Sequence, residues 1–186
     1  MKEKTIKKQL IYKGRLIDLV KSEIRINGRK SVREIIVHPG SSVMIPVLDV
    51  RKKLIILIKQ YRYGAGKCMI EFPAGTRNKN ESALKCAARE IIEETGYKTG
   101  SMRKIAEFMP SPGMMTEKMD LYIATRLTKA YLSPDFDEQI TVFVTTLDTA
   151  VKMIFSGKII DAKTIAGILM LKEIYGDKKL FKKYLA

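Results

Sequence analysis

The chain has 186 residues, 46% of them hydrophobic, enough to bury one core of ordinary size without disulfides or a structural metal. Lysine and arginine number 35 against 20 acidic residues, a formal net charge of +15, and a surface of that sign attracts polyanions. The basic residues are spread along the chain, with modest clusters only at 2–8 and 178–183 and no helix-turn-helix, zinc-finger or RNP-like pattern beside them. The composition is therefore read as a solvated surface that draws in small phosphorylated anions, and a nucleic-acid partner is disfavoured.

In chain order, MKEKTIKKQLIYKG is charged and lacks the apolar centre of a signal peptide, and no run of about 18 apolar residues occurs anywhere. Neither export nor membrane insertion is expected. IYKGRLIDLVKSEIRINGRKSVREIIV clusters apolar residues on either side of Asn27-Gly28, a pair that tolerates positive φ and favours a tight hairpin, so residues 1–40 are expected to form an N-terminal antiparallel unit. SSVMIPVLDV, KKLIILIKQYRY and CMIEF read as short strands leading to Pro73-Ala74-Gly75. RKIAEFM, KMDLYIATRL and QITVFVTT read as further strands, and TLDTAVKMIFSGK and AKTIAGILMLKEIY carry helical periodicity and close the chain. Cys68 and Cys86 lack a ligand-like spacing and fall in a strand and a helix, which points to a reducing, cytoplasmic setting.

Between CMIEF and RKIAEFM lies a helix. Ala83, Leu84, Ala87, Ala88 and Ile91 recur at helical spacing, Glu81 and Ser82 suit its start, and Gly96 suits the position after its last turn. Steps of three and four relate Glu90, Glu93 and Glu94, which places three carboxylates on one stripe about a turn long. Like charges so spaced repel unless a cation gathers them, and Mg²⁺ takes oxygen ligands of this kind while reaching for substrate phosphates. The bland alternative, a solvated acidic face partly neutralised by Arg89, is weakened by the surrounding pattern. That pattern is Gly75, five residues, Glu81, seven residues, Arg89-Glu90-Ile91, one residue, Glu93-Glu94, one residue, Gly96 and a bulky apolar residue.

This pattern resembles the Nudix box of the Nudix hydrolases at every fixed position, with one soft departure at Tyr97, where an aliphatic residue is usual. The resemblance implies an α/β (α+β) fold. It would be a Nudix-type α/β/α sandwich with a mixed β-sheet, carrying the box as loop–helix–loop, with residues 41–186 as the hydrolase domain and the N-terminal antiparallel strands beside it. It also implies hydrolysis of a nucleoside diphosphate linked to another moiety. Glu90, Glu93 and Glu94 would bind Mg²⁺ or Mn²⁺, joined by the Ala74 carbonyl, and Arg89 would orient the carboxylates.

Similarity to the ADP-ribose pyrophosphatase branch runs through REIIVHPGSSVMIPVL, IKQYRYGAGKCMIEFPAG, FMPSPGMMTEKMDLYIA and SGKIIDAKT, with Pro112 in a Ser-Pro-Gly context 16 residues after Gly96. Arg62 resembles an arginine that contacts the diphosphate or terminal ribose in that branch, against the alternative of an exposed strand arginine. Arg33 and Glu34 are candidates near the nucleotide, and Glu71 for a second metal or the substrate. Tyr12 or Ile17 are candidates to stack on adenine. His38, the single histidine, precedes Pro39-Gly40 and is read as a turn residue. Carboxylates gathered on a metal are poor proton acceptors, so a further base is expected. Residues 133–140 supply Asp135, Asp137 and Glu138, and the branch draws its catalytic glutamate from such a loop. Glu138 is the first choice and Asp137 the second. The branch also exchanges N-terminal strands across a two-fold axis, so a homodimer is expected. ADP-ribose hydrolysis to AMP and ribose 5-phosphate is the leading reading. Another nucleotide-sugar or dinucleotide diphosphatase, or a non-catalytic binding module for ADP-ribose or nucleic acid, are the alternatives.

Overall fold

The computed structural model describes residues 2–131 and 139–186. The N-terminal unit is an antiparallel meander of β1 (Lys4–Lys13), β2 (Asp18–Ile26) and β3 (Arg29–Val37). Asn27 and Gly28 adopt φ of 48° and 77° between Ile26 and Arg29, the left-handed pair that a two-residue hairpin needs to match strand twist. The charged segment 4–8, which carries no strand pattern of its own, extends β1, and every residue of β1 is exposed. Lysines suit such an outer strand because they discourage uncontrolled edge pairing.

The seven-stranded sheet contains β4 (Ser41–Asp49), β5 (Leu54–Arg62), β6 (Lys67–Glu71), β7 (Ala74–Thr76), β8 (Tyr97–Phe108), β9 (Met119–Lys129) and β10 (Ile140–Thr146). Its main path runs β10-β5-β4-β9-β8, with β6 on β5 and β7 on β4. Only the β4–β9 pairing is parallel, so the sheet is mixed. Strand periodicity divides its side chains between two cores. Val43, Ile45 and Val47, with Leu121 and Ile123, pack on residues of α2 (Leu147–Phe155) and α3 (Ala162–Gly176), with α4 (Lys178–Tyr184) over them. Met44, Tyr122 and Ala124 point the other way and meet Ala87 and Ile91 of α1 (Ala83–Thr95). Burial on both faces explains why β4 reads as a continuous apolar run rather than an alternation. The layers form the expected α/β/α sandwich.

Two elements differ from expectation. β8 begins directly after the α1 cap rather than near Arg103, because its polar first half pairs with β9 from Tyr97↔Lys129 onward. α4 forms a separate short helix because Asp177 caps it, its Oδ1 accepting from the N–H groups of Lys179 and Leu180. The N-terminal sheet is tied to the rest through its last strand: the Ile36 N–H donates to the Met114 carbonyl and the Ile36 carbonyl accepts from the Thr116 N–H. That contact docks β3 against the loop carrying Pro112. Among the described residues no helix is long and apolar enough to cross a membrane.

Candidate active site

Helix α1 starts and stops as its residues dictate. Ser82 Oγ accepts from Lys85 N–H at 3.3 Å, and Gly96, at φ 70°, donates its N–H to the Ile92 carbonyl. The acidic stripe is not a solvated face, since Glu90 and Glu94 are 9% and 4% exposed. Both lean on the segment β7 contributes from below. Glu94 Oε2 accepts the Ala74 N–H at 2.8 Å, and the Glu90 carboxyl lies where a side chain on Gly75 would stand. A Cβ there would collide with that carboxyl group, so glycine is what lets the carboxylate approach the backbone.

Arg89 organises the charges around this cradle. Its Nη1 donates to Glu90 Oε1 at 2.6 Å and Glu93 Oε2 at 2.8 Å, while Nε and Nη2 each reach a Glu81 oxygen at 3.1 Å and Nη2 also reaches the Thr76 carbonyl at 3.3 Å. Hydrogen bonding to Glu81, then the neighbouring carboxylates, raises the guanidinium further above its ordinary range, and Arg89 in turn holds Glu81 below the usual carboxylate range. One cation thus offsets the mutual repulsion of the stripe and ties the helix to the loop before it. Cys86 Sγ donates to the Gly75 carbonyl at 3.4 Å from a buried position, and burial pushes its thiol up to about 11.

The donor set fits a hard divalent cation: two buried carboxylates, a third partly exposed one, and a close glycine backbone. Glu90, Glu93 and Glu94, with the Ala74 carbonyl, are the groups that would hold it. Among the described residues Arg89 gathers Glu90 and Glu93, the Ala74 N–H holds Glu94, and the three are not already converged as a three-ligand metal site.

A second charged group lies beside the first. Glu71, at the end of β6 and 1% exposed, takes a two-pronged contact from Arg62, with Nε to Oε1 at 2.9 Å and Nη2 to Oε2 at 3.0 Å. Lys163 Nζ, also buried, donates to the same Oε2 and sits 3.0 Å from Asp161 Oδ2. Burial alone would raise Glu71, but the Arg62 hydrogen bonds and the Lys163 charge outweigh it and hold the carboxyl below its ordinary range. Arg62 is raised chiefly by Glu71, with Glu94 contributing at longer range, which places its guanidinium within the field of the acidic helix.

The remaining candidates are dispersed. Arg33 bonds Glu3 at 2.6 Å and the Val32 carbonyl, and Glu34 is exposed on the same strand. Pro112 is exposed in a turn closed by Met114 N–H to the Ser111 carbonyl. Tyr12 is exposed and Ile17 half-buried. Glu138, Asp137 and Asp135 lie outside the described residues. His38 Nδ1 accepts from Gly40 N–H at 3.0 Å and lies 3.6 Å from Glu117, whose Oε1 takes the Ser41 hydroxyl. The serine donates to the carboxylate and not to the imidazole, so these three are not ordered as a nucleophile and its base. A cavity of about 710 Å³ opens between the β1–β2 turn and the box loop, with Lys13, Arg15, Arg77 and Lys79 supplying positive charge against Asp18.

Sequence reading did not single out Lys163 and Asp161. A usable signal was present. Lys163 is the second residue of α3 after its Asp161 N-cap, where a cation opposes the helix dipole and is for that reason an unusual choice.

An α/β/α sandwich that lays a glutamate-bearing helix over a Pro-Ala-Gly loop defines the class. The NUDIX domain family matches residues 38–166, and the chain belongs to the Nudix hydrolase family. Along nearly its whole length it is similar to the ADP-ribose pyrophosphatase of Bacillus subtilis, at 38% identity over 184 residues covering 96% of this chain and 98% of that one. It is 36% identical to the methanol dehydrogenase activator of Bacillus methanolicus over 91% of this chain and 92% of that one. It is 33% identical to the GDP-mannose pyrophosphatase of Escherichia coli over 68% and 70%. A solved structure described as an ADP compounds hydrolase superposes with a TM-score of 0.81 at 20% identity, covering 93% of this chain and 94% of that one, which supports the fold.

Proposed function

We propose that this protein hydrolyses the diphosphate of ADP-ribose to AMP and ribose 5-phosphate with Mg²⁺ or Mn²⁺. The observation that carries the reading is the pair of buried glutamates on the Ala74-Gly75 backbone, set in a chain 38% identical end to end to an ADP-ribose pyrophosphatase. Glu90, Glu93 and Glu94, with the Ala74 carbonyl, hold the cation. When bound, it neutralises diphosphate oxygens and lowers the barrier to attack by water. Arg89 keeps Glu90 and Glu93 in register while the Ala74 N–H holds Glu94, and Arg62 presents a planar donor pair to the diphosphate. Glu138 takes the proton from the attacking water, one P–O bond forms to the water oxygen, and the bridging P–O bond breaks. Pro112 shapes the facing loop, and Arg33 and Glu34 approach the nucleotide.

Residues 1–40 serve as the dimerisation and adenosine-pocket region, and residues 41–186 as the hydrolase domain. The outer edge of β1 has no neighbouring strand among the described residues, and Ile6, Leu10 and Tyr12 are exposed on it, which favours a homodimer that covers them. The cavity between residues 13–18 and the box loop is of a size and charge to accept part of a nucleotide. Two free thiols suit a reducing cytoplasm.

Similarity to a GDP-mannose pyrophosphatase supports a second reading, hydrolysis of another sugar nucleotide. A panel of ADP-ribose, GDP-mannose, dinucleoside polyphosphates and nucleoside triphosphates, assayed with Mg²⁺ and Mn²⁺ and with products separated, decides between them. ADP-ribose is expected to have the highest kcat/KM. A preference for GDP-mannose, or release of pyrophosphate from a triphosphate, would overturn the proposal.

A further inference from the structure

We infer that Lys163, at the start of α3, is a positioning residue for Arg62, acting through Glu71 to keep the arginine available to a substrate diphosphate. The inference rests on the functional reading above. Glu71 is buried, and left alone with Arg62 it would form a closed, neutral pair in which the guanidinium's charge is spent on its own partner. Lys163 changes that balance. Its ammonium donates to Glu71 Oε2, the same oxygen that receives Arg62 Nη2, so one carboxylate is shared between two cations. With Asp161 beside the lysine the four side chains sum to zero, whereas without the ammonium they would carry −1 and leave Arg62 alone against two carboxylates; of the two cations Arg62 is the one that faces out, its side chain 39% exposed against 10% for Lys163.

The start of α3 is built to hold this lysine. A cation in the first turn of a helix is disfavoured by the dipole, and a buried ammonium carries a large desolvation cost. Asp161 offsets both: as N-cap it accepts from Thr164 N–H at 3.0 Å, and the same Oδ2 stands 3.0 Å from Lys163 Nζ. Thr164 Oγ1 then accepts Phe72 N–H at 2.8 Å, which clamps the backbone next to Glu71 onto the helix. The lysine, the cap and the strand end are fixed against one another, and Arg62 is the member left with an open side.

A double-mutant cycle tests this by binding. The probe is α,β-methylene ADP-ribose, whose bridging carbon resists hydrolysis, titrated calorimetrically into the full chain. Lys163→Met is expected to weaken binding by about tenfold, the scale of one charge-assisted contact, and Lys163→Arg to restore it to within about threefold. In the Arg62→Ala background, Lys163→Met is expected to cause no further loss beyond about twofold, since its effect passes through the arginine. Lys163→Gln keeps a donor for Glu71 without the charge and serves if the Met variant fails to fold. Gln is expected to behave as Met, and a wild-type affinity in a folded Gln variant overturns the charge argument. Full additivity of Lys163→Met with Arg62→Ala, in variants with wild-type circular dichroism, overturns the positioning role while leaving the functional reading intact. Absence of both probe binding and ADP-ribose turnover in the wild type overturns the functional reading itself, and this inference with it.

Discussion

Replacing Gly75 by alanine should abolish most activity while leaving the fold in place. The backbone at Gly75 is outside the left-handed region, so alanine meets no φ penalty there. The conflict is with a side chain. The new Cβ would overlap the Glu90 carboxyl, which must retreat by roughly 1.5 Å to reach ordinary contact, and a misplacement of about 1 Å is enough for a loss of about a hundredfold. In moving, Glu90 gives up its 2.6 Å contact with Arg89, a loss of about 1.5–3 kcal/mol for a charge-assisted hydrogen bond. A domain of this size has stability on the order of 10 kcal/mol, so it stays folded. The loss in kcat is then about 2.7 kcal/mol in barrier, or a hundredfold or more. ADP-ribose hydrolysis, Mn²⁺ affinity by calorimetry and a thermal melt would be measured on Gly75→Ala beside Gly176→Ala, whose Cβ would meet nothing within 4 Å. Wild-type kcat together with unchanged Mn²⁺ affinity in Gly75→Ala would refute the idea that this glycine seats a metal-holding carboxylate.

Two further outcomes follow from the site. Glu138→Gln should retain Mn²⁺ and ADP-ribose binding and lose kcat by about a hundredfold, the scale for a positioned base, and an unchanged kcat with weakened binding would move the role to Asp137 or remove it. In the native protein, iodoacetamide should modify Cys68, which is exposed, and spare Cys86, which is buried with its thiol raised to about 11. Mass spectrometry showing equal labelling of both without unfolding would contradict the packing of Cys86 beneath Gly75.

What the sequence determined by itself is what local rules encode. Asn27-Gly28 set a hairpin because both residues accept positive φ, Ser82 and Gly96 bounded α1 because each satisfies orphan backbone groups, and steps of three and four put Glu90, Glu93 and Glu94 on one stripe. Those facts depend on neighbours a few residues away, and spacing records them. Only the tertiary structure decided that Glu90 and Glu94 are buried on the β7 backbone rather than solvated, since that depends on which surface the helix meets. The same holds for Glu71, which read as a strand-end carboxylate with several uses. Its partners are Arg62, nine residues earlier on the facing strand, and Lys163, 92 residues later on a helix from the opposite layer. No local propensity links such positions. They meet because both faces of β4 and β5 are apolar and must be covered, and covering them brings α3 down beside the end of β6, where a buried carboxylate requires a buried cation.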